Sequence, residues 1–237
     1  MPSKPRDRIL RTAVRLFSRE GIQAVGVNRI IVEADVAPTT LYRQFSSKDQ
    51  LVAAALEQWG TDWLGRLRDQ VERGGDDFQA RLDGLWSALS SWFAMEDFPG
   101  SFIANAAAEL RGMPDHPARA VIVEQRAALR QLLGDLAQLA GVRDATALSE
   151  QLLVLVDGAI AIATVDRRPD GAARASATAR ALLSAGIAAA TPAPGSAFCR
   201  GRPGGAASSR VLSEDRGAAA ETVAARTAAL TAPRRRP

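Results

Sequence analysis

Apolar residues at helical spacing divide the first 45 or so residues into three short helices. The second runs from about Val27 to Ala34, and the third begins at Pro38 after a tight turn at Asp35 and Val36. The first helix, which Gly21 is placed to end, carries a five-residue apolar face: Ile9, Leu10, Ala13, Leu16 and Phe17. None of these helices could bury a core alone. The pattern predicts one small helix-turn-helix domain.

The same periodicity continues as six longer helices, separated by Gly and Pro breaks. Ser47 is placed to cap the first of them. They are predicted at about residues 48–70, 76–95, 102–111, 118–140, 145–166 and 172–190. No alternating apolar-polar run or Asn-Gly hairpin signal is present, and Ala is abundant. We predict an all-α fold, with a helix-turn-helix domain at 1–46, a six-helix body at 47–190 and a separate tail at 191–237.

The third helix has an unusual outward face. Leu41 and Phe45, four residues apart, would be buried together. The residues left to point outward carry hydroxyl, phenol, guanidinium and amide groups: Thr39, Thr40, Tyr42, Arg43 and Gln44. Such groups reach base edges and phosphates in a major groove, whereas a solvated helix would normally carry Glu and Lys. This pattern indicates a recognition helix.

At this point the chain resembles the TetR family of transcriptional repressors. The order, spacing and residue types agree over about 50 positions, a far more specific match than a generic helix-turn-helix. The matching runs are Ile9 to Ala13, Leu16-Phe17, Gly21, Val27 to Ala34, Thr40 to Phe45 and Ser47-Lys48. Asp35 and Ala37 stand where many members have Gly and then Ser or Thr. Asp35 tolerates a left-handed backbone, whereas the hydroxyl cap lost at Ala37 would cost about 1 kcal/mol.

The resemblance implies a homodimer that binds a palindromic double-stranded DNA operator and releases it when a small effector occupies the body. It implies phosphate contacts for Tyr42 and Lys48. Thr39, Thr40, Arg43 and Gln44 are predicted to contact bases or phosphates. Further predicted contacts are Lys4, Arg6 and Arg8 of the N-terminal arm and Asn28 of the second helix. A repressor is expected, although sequence does not set the sign of regulation. The alternative is a helical ligand-binding or interaction module without specific DNA binding.

The charge distribution agrees with a DNA-binding N-terminus. Residues 1–50 hold nine Lys and Arg against five Asp and Glu, a net of +4. Residues 51–190 hold thirteen against eighteen, a net of −5, and residues 191–237 hold eight against three, a net of +5. The basic excess therefore lies on the predicted reader and on the tail, and not on the body.

Aromatic residues concentrate between positions 59 and 102. They could form ordinary core, or they could line a cavity for an apolar and flat effector. Asn105 and Glu109, one helical turn apart, would be a polar pair on its wall. The predicted ligand-binding residues are Trp63, Trp92, Phe98, Phe102, Asn105 and Glu109. His116, in a Pro-flanked loop, is expected to cap the following helix.

A continuous apolar stripe follows the helix predicted at 145–166, at Leu148, Leu152, Leu155, Ala159 and Ala163. In the family resembled here, the last two helices pair with their copies as a four-helix bundle. The last two helices are therefore predicted to be the dimer seam. The alternative is that they form the core of one protomer.

The sequence offers few of the residues and motifs that enzymes and metal-binding proteins use. It has one His and one Cys, no phosphate loop, no Gly-x-Ser-x-Gly and no His-Glu-x-x-His, so we expect no enzyme, no metal site and no cofactor. No run of 18 apolar residues indicates a membrane span, and a cytoplasmic protein is expected. The tail at 191–237 is rich in Pro, Gly, Ala and Arg and is predicted to be disordered.

Overall fold

The computed structural model describes residues 4–189, which form nine helices and no strand. They are α1 Pro5–Glu20, α2 Val27–Glu33, α3 Pro38–Gln44, α4 Lys48–Glu72, α5 Phe78–Phe93, α6 Phe102–Glu109, α7 Ala118–Leu139, α8 Ala145–Val165 and α9 Gly171–Ala189. The all-α prediction is confirmed, and the ends of the six body helices lie within about two residues of their predicted positions, which is the usual uncertainty of helix ends. The predicted disordered tail lies outside the described residues.

Side-chain caps explain where several helices begin. The Ser47 hydroxyl accepts a hydrogen bond from the Gln50 backbone N–H at 3.1 Å, as the sequence predicted. Asp77, Ser101 and Asp144 play the same part for α5, α6 and α8. The prediction for His116 is also confirmed, because its Nδ1 accepts from the Ala118 N–H at 3.1 Å at the start of α7.

One of two buried clusters joins the three N-terminal helices to the body. It contains the inward residues of α1, α2 and α3, and it extends to the first half of α4, to α6 and to the start of α7. Leu51 and Leu56 of α4, Phe102 of α6 and Ala118 of α7 are each at most 1% exposed within it. The core around the N-terminal helices is therefore completed by residues beyond position 46, where we predicted the domain boundary.

The second buried cluster forms the centre of the body, where α4 packs against α5 and α7, α5 packs against α9, and α8 packs against α7 and α9. α4 belongs to both clusters, since Leu64, Leu67 and Val71 of its second half are buried here. This helix of 25 residues therefore runs as one rigid element from the N-terminal domain through the body.

The structure places the apolar stripe of α8 inside the protomer. Leu148, Leu152, Ala159 and Ala163 are at most 5% exposed, and Leu155 is half-buried. This stripe therefore belongs to the protomer core, where α8 packs against α7 and α9. The pairing of the last two helices with their copies stays a prediction, and it would have to use their other faces.

A different face of α8 remains uncovered. Its residues follow a spacing of three and four and are small or apolar apart from the first: Gln151, Val154, Gly158, Ala161 and Val165. Val154 is 69% exposed and Val165 is 79% exposed. By length and composition α8 is also the one helix among the described residues that could cross a membrane. A core helix passes the same test, and α8 packs between α7 and α9.

Candidate DNA-binding surface and body cavity

The turn between α2 and α3 has the backbone that the sequence predicted. Asp35 has φ 50°, and the Val36 N–H donates to the Ile31 carbonyl at 3.2 Å. Ala37 precedes α3 and supplies no side-chain cap, so Pro38 opens the helix without one. The short turn fixes the direction in which α3 leaves the domain.

The outward face of α3 is polar and accessible. Leu41 is 1% exposed and Phe45 is 5% exposed, so they anchor the opposite face in the core. Tyr42 is 55% exposed, which is high for an aromatic side chain. The residues predicted to contact DNA from this helix are exposed at Thr39, Tyr42, Arg43 and Gln44, and half-buried at Thr40.

Some charged side chains of the N-terminal domain form ion pairs with each other. Arg15 and Arg29 both pair with Glu33, at 2.5 and 2.7 Å, and they hold the pKa of that carboxyl below its usual range. Arg29 also pairs with Glu20. Within residues 4–189, no ion pair involves any of four predicted contact residues, Lys4, Arg6, Arg43 and Lys48. The acidic groups of the domain thus leave these four cations available to an external anion.

The two arginines at the start of α1 make different contacts. The Arg6 guanidinium lies over the Phe45 ring, 5.5 Å from its centroid, which places this cation beside the end of α3. Arg8 instead donates to the Asp35 carbonyl at 2.5 Å, and its side chain holds α1 against the helix-turn-helix turn. This hydrogen bond uses one terminal nitrogen of the guanidinium, and a DNA contact by Arg8 stays a prediction. Lys4 and Asn28 are exposed at the starts of α1 and α2.

The body contains a cavity of about 520 Å³, partly open to solvent, that is lined by Ser101 and by residues of α4, α6, α7 and α8. Trp59 and Trp63 of α4 form one wall, with parallel indole rings 5.7 Å apart. Most of the remaining lining is apolar, including Ile103, Leu129 and Ile160. A volume of this size and an apolar wall with few polar groups are typical of small-molecule sites.

Six polar side chains line the cavity: Ser101, Asn105, Gln125, Arg126, Asp157 and Thr164. The Arg126 guanidinium makes two hydrogen bonds to the Asp157 carboxylate, one of them 2.7 Å long from Nη1 to Oδ1. The carboxylate raises the pKa of Arg126. The Gln125 Oε1 atom is buried and accepts no hydrogen bond from the described part of the chain. The Asn105 amide donates weakly to the Pro99 carbonyl at 3.5 Å.

Only two of the six predicted ligand-binding residues, Trp63 and Asn105, line this cavity. Trp92 lies behind Trp59 and Trp63 and packs edge-on against Phe98, so both contribute to core. Phe102 is 1% exposed in the cluster around the N-terminal helices. Trp92, Phe98, Phe102 and Glu109 are not among the residues that line this cavity, and their role in ligand binding stays a prediction.

Glu109 instead joins the body to the N-terminal domain. Its carboxylate accepts hydrogen bonds from the backbone N–H groups of Ile22 and Gln23 at 3.1 and 2.9 Å. Gly21, with φ 91°, allows this approach, because a Cβ there would lie 3.2 Å from the carboxylate oxygen. Other residues of α6, including Ile103 and Asn105, line the cavity. This short helix therefore touches the cavity and the loop after α1 at once.

Replacing Glu109 by Ala should destabilise the loop after α1. Two backbone donors lose a charged acceptor, which should cost about 1–3 kcal/mol. Hydrogen exchange followed by mass spectrometry should show faster exchange in the segment that contains Ile22 and Gln23. The control is Glu124→Ala, an exposed carboxylate of α7 that makes no ion pair within residues 4–189. Equal exchange in both variants would contradict the role given to Glu109.

Sequence reasoning missed Gln125, Arg126 and Asp157. One signal was available, because Asp157 is the only charged residue between Glu150 and Asp166 in an otherwise apolar helix. A single carboxylate in such a run requires a partner. The partner lies 31 residues away on α7, and only the packing of the two helices identifies it.

Two glycines of α4 provide a matched test of the cavity wall. A Cβ on Gly60 would lie 2.3 Å from the Gln125 amide, whereas a Cβ on Gly65 meets nothing within 4 Å. Gly65→Ala should therefore raise the free energy of unfolding by about 0.4–1 kcal/mol. The free energy of unfolding of Gly60→Ala should be at least about 1 kcal/mol lower than that of Gly65→Ala, because displacement of the Gln125 amide offsets the gain in helix propensity. Urea unfolding measures both, and equal stabilisation would show that Gln125 does not pack against α4.

The fold and these two sites define a helix-turn-helix protein whose helical body encloses a cavity. A family model described as bacterial regulatory proteins, tetR family, matches residues 9–55. The transcriptional repressor KstR2 of Mycolicibacterium smegmatis is 32% identical over 88 residues, which are 37% of this chain and 42% of that protein. The uncharacterised regulator YvdT of Bacillus subtilis is 32% identical over 79 residues, which are 33% of this chain and 40% of that protein. These sequence matches thus span about two fifths of the length of the curated relatives.

Solved structures extend the similarity into the body. A TetR-family transcriptional regulator from Streptomyces coelicolor superposes with a TM-score of 0.70 at 28% identity, over 77% of this chain and 95% of that one. A putative TetR regulator from Streptomyces avermitilis gives a TM-score of 0.66 at 27% identity, over 78% and 99%. In its helix-turn-helix and in its fold the chain is therefore similar to TetR-family transcriptional regulators.

Proposed function

We propose that the protein is a cytoplasmic, ligand-responsive transcriptional repressor that binds a palindromic operator as a homodimer and releases it when a small apolar effector fills the body cavity. The observation that carries this proposal is the outward face of α3, where exposed Tyr42 and Arg43 stand beside cations that no carboxylate of residues 4–189 neutralises. The choice of repressor is supported by the similarity to KstR2, which is named as one.

The proposed DNA contacts are the exposed polar residues of α3 together with nearby cations. They are Lys4, Arg6, Asn28, Thr39, Thr40, Tyr42, Arg43, Gln44 and Lys48. Lys48 occupies the first turn of α4, where a cation is unfavourable against the helix dipole unless an anion compensates. A DNA phosphate would supply that anion. Arg6, held over Phe45, would reach the same duplex from the end of α3.

The uncovered face of α8, and not its buried stripe, is the proposed dimer surface. Val154, Gly158 and Ala161 are exposed on it, and α9 beside it exposes the small residues Ala173, Ala177 and Ala181. Small side chains allow helices to approach closely, and an exposed apolar surface of this kind is costly unless a partner covers it. A two-fold arrangement would present two α3 helices to one face of a palindrome.

Two elements would carry a signal from the cavity to the DNA. α4 lines the cavity with Trp59 and Trp63, and its first half forms part of the N-terminal core. α6 lines the cavity and holds the loop after α1 through Glu109. An effector that favours one position of these helices would change the distance between the two α3 helices, which must be about 34 Å, or a multiple, to enter successive major grooves.

Selection of bound duplexes from a randomised library tests this function. The purified full-length chain should enrich a palindrome whose half-sites are about one helical turn apart, or a multiple of it. An enriched sequence without two-fold symmetry would contradict the dimer. Failure to enrich any duplex at low salt would favour the alternative, a helical ligand-binding module without specific DNA binding.

Tyr42→Phe should weaken binding to every duplex by a similar factor of up to about tenfold, since loss of a phosphate hydrogen bond carries no sequence information. Fluorescence anisotropy on the selected operator and on single mismatches measures this. Arg43→Ala is the comparison, because loss of a base contact should change the order of preference among the mismatches. If Tyr42→Phe changed the order of preference among the duplexes, Tyr42 would be a base contact. If Arg43→Ala weakened binding to all duplexes equally, Arg43 would be a phosphate contact.

A further inference from the structure

The chemistry of the cavity wall restricts the kind of effector that fits it. The restriction comes from three features that the family resemblance does not supply: the stacked tryptophans, the closed ion pair and the unpaired glutamine oxygen. Each of them excludes a class of compound. The inference rests on the effector-binding part of the proposed function, and it goes beyond that function in naming the chemical class.

The tryptophan wall favours a flat aromatic compound. Trp59 and Trp63 lie almost parallel, with an angle of 6° between their planes. Trp92, tilted by 53–54° to both, supports them from behind, and Phe102 meets Trp59 edge-on. Neighbouring aromatic groups hold these indoles in place. Because the two indoles already stack on each other, a planar ring system can stack on the outer face of the pair.

The ion pair disfavours a charged compound. Both terminal nitrogens of Arg126 are already bonded to the Asp157 carboxylate, so the two charges compensate each other at the cavity wall. An anion that approached Arg126 would also face Asp157, and a cation that approached Asp157 would face Arg126. Entry of either would also require loss of its hydration shell. An uncharged compound avoids both costs.

Gln125 lines the cavity and supplies a buried hydrogen-bond acceptor, Oε1, that has no donor within the described residues. Gly60 leaves the space in which the amide rests against α4. The last torsion of a glutamine side chain is soft, so a small rotation brings Oε1 towards the cavity. A compound with an N–H or O–H on its edge would then satisfy an oxygen that is otherwise costly to bury.

We infer that the effector is an uncharged, planar aromatic compound that stacks on the outer face of the Trp59–Trp63 pair and donates one hydrogen bond from its edge to Gln125 Oε1. The cavity of about 520 Å³ has a size that is usual for small-molecule sites. This class excludes carboxylates, phosphate esters, ammonium compounds and long saturated chains.

Four probes of one shape test the inference with the full-length protein. Carbazole donates an N–H, dibenzofuran has an oxygen in its place, and carbazole-2-carboxylate and 3-aminomethylcarbazole carry opposite charges. Quenching of tryptophan fluorescence and equilibrium dialysis measure the affinities. Carbazole should bind about tenfold more tightly than dibenzofuran, which corresponds to one hydrogen bond. It should also bind at least about tenfold more tightly than either charged congener.

The matched variants are Gln125→Met and Gln138→Met on the same helix. Met keeps the length of the side chain and removes the acceptor, and Gln138 is exposed outside the cavity. Gln125→Met should reduce the preference for carbazole over dibenzofuran to within about twofold, whereas Gln138→Met should leave it unchanged. Any of four results would overturn the inference. The wild type could bind carbazole and dibenzofuran equally, or Gln125→Met could keep the full preference for carbazole. A charged congener could bind more tightly than carbazole, or no probe could bind at all.

Failure of the inference can be distinguished from failure of the proposed function. Operator binding is measured separately by anisotropy with the selected duplex. Operator binding without the expected order of probe affinities would refute the effector class alone. The expected order of affinities without any duplex binding would refute the regulator and leave the assignment of the cavity intact.

Discussion

A chain that carries Thr40→Ala and Arg43→Ala is expected to bind the operator at least about 100-fold more weakly than the wild type while it unfolds at the same temperature. Each direct contact to a base edge contributes about 1–3 kcal/mol of discrimination, and the two residues lie on the accessible side of α3. Leu41 and Phe45, which hold this helix in the core, are untouched. Anisotropy with the selected duplex measures the affinity, and circular dichroism measures the unfolding.

The matched control changes the same residue types in the body. Arg143 and Thr146 are exposed around the start of α8, away from α3 in the fold. Arg143→Ala with Thr146→Ala should keep the affinity of the wild type. If the α3 double variant also bound as tightly as the wild type, the recognition helix would be elsewhere in the chain.

The second large effect concerns the uncovered face of α8. Val154→Arg should convert the dimer into a monomer, with the dissociation constant raised about 100-fold or more, because a desolvated cation would face its own copy across the two-fold axis. Operator affinity should fall with it, since one α3 helix alone reads only half a palindrome. Analytical ultracentrifugation and anisotropy measure the two effects.

Val123 offers a close control. It is 67% exposed on α7, against 69% for Val154 on α8, so the two substitutions disturb the protomer to a similar small extent. Val123→Arg should remain dimeric and bind the operator normally. A dimeric Val154→Arg variant would show that the protomers meet through another surface.

Most of the fold was predicted from residues that lie close together in the chain. The helix-turn-helix follows from residues close together in the chain: Gly21, the Asp35 turn, Pro38, and Leu41 with Phe45 on one face. The caps at Ser47 and His116 are equally local, since donor and acceptor are two or three residues apart. Such features depend on backbone chemistry that the sequence states directly.

The cavity was predicted less well, because its lining depends on the direction in which packed helices turn. In α6, Phe102 and Glu109 face the N-terminal domain, while Asn105 faces the cavity. The helix is only eight residues long and mostly apolar, so its periodicity indicates no single buried side. The outward face of α8 could not be predicted for the same reason. Nearly all of that helix is apolar, and tertiary packing decides which side another chain could reach.

The shared helix α4 has a consequence for protein engineering. A fragment cut after residue 46 would lose Leu51, Leu56 and Phe102, which complete its interior, and would not be expected to fold alone. Hybrid regulators that combine this reader with a foreign sensor should instead be joined within α4, between Leu56 and Trp59, and should take Glu109 and Gly21 from the same parent. The exchangeable module is therefore larger than the stretch of chain that touches the duplex.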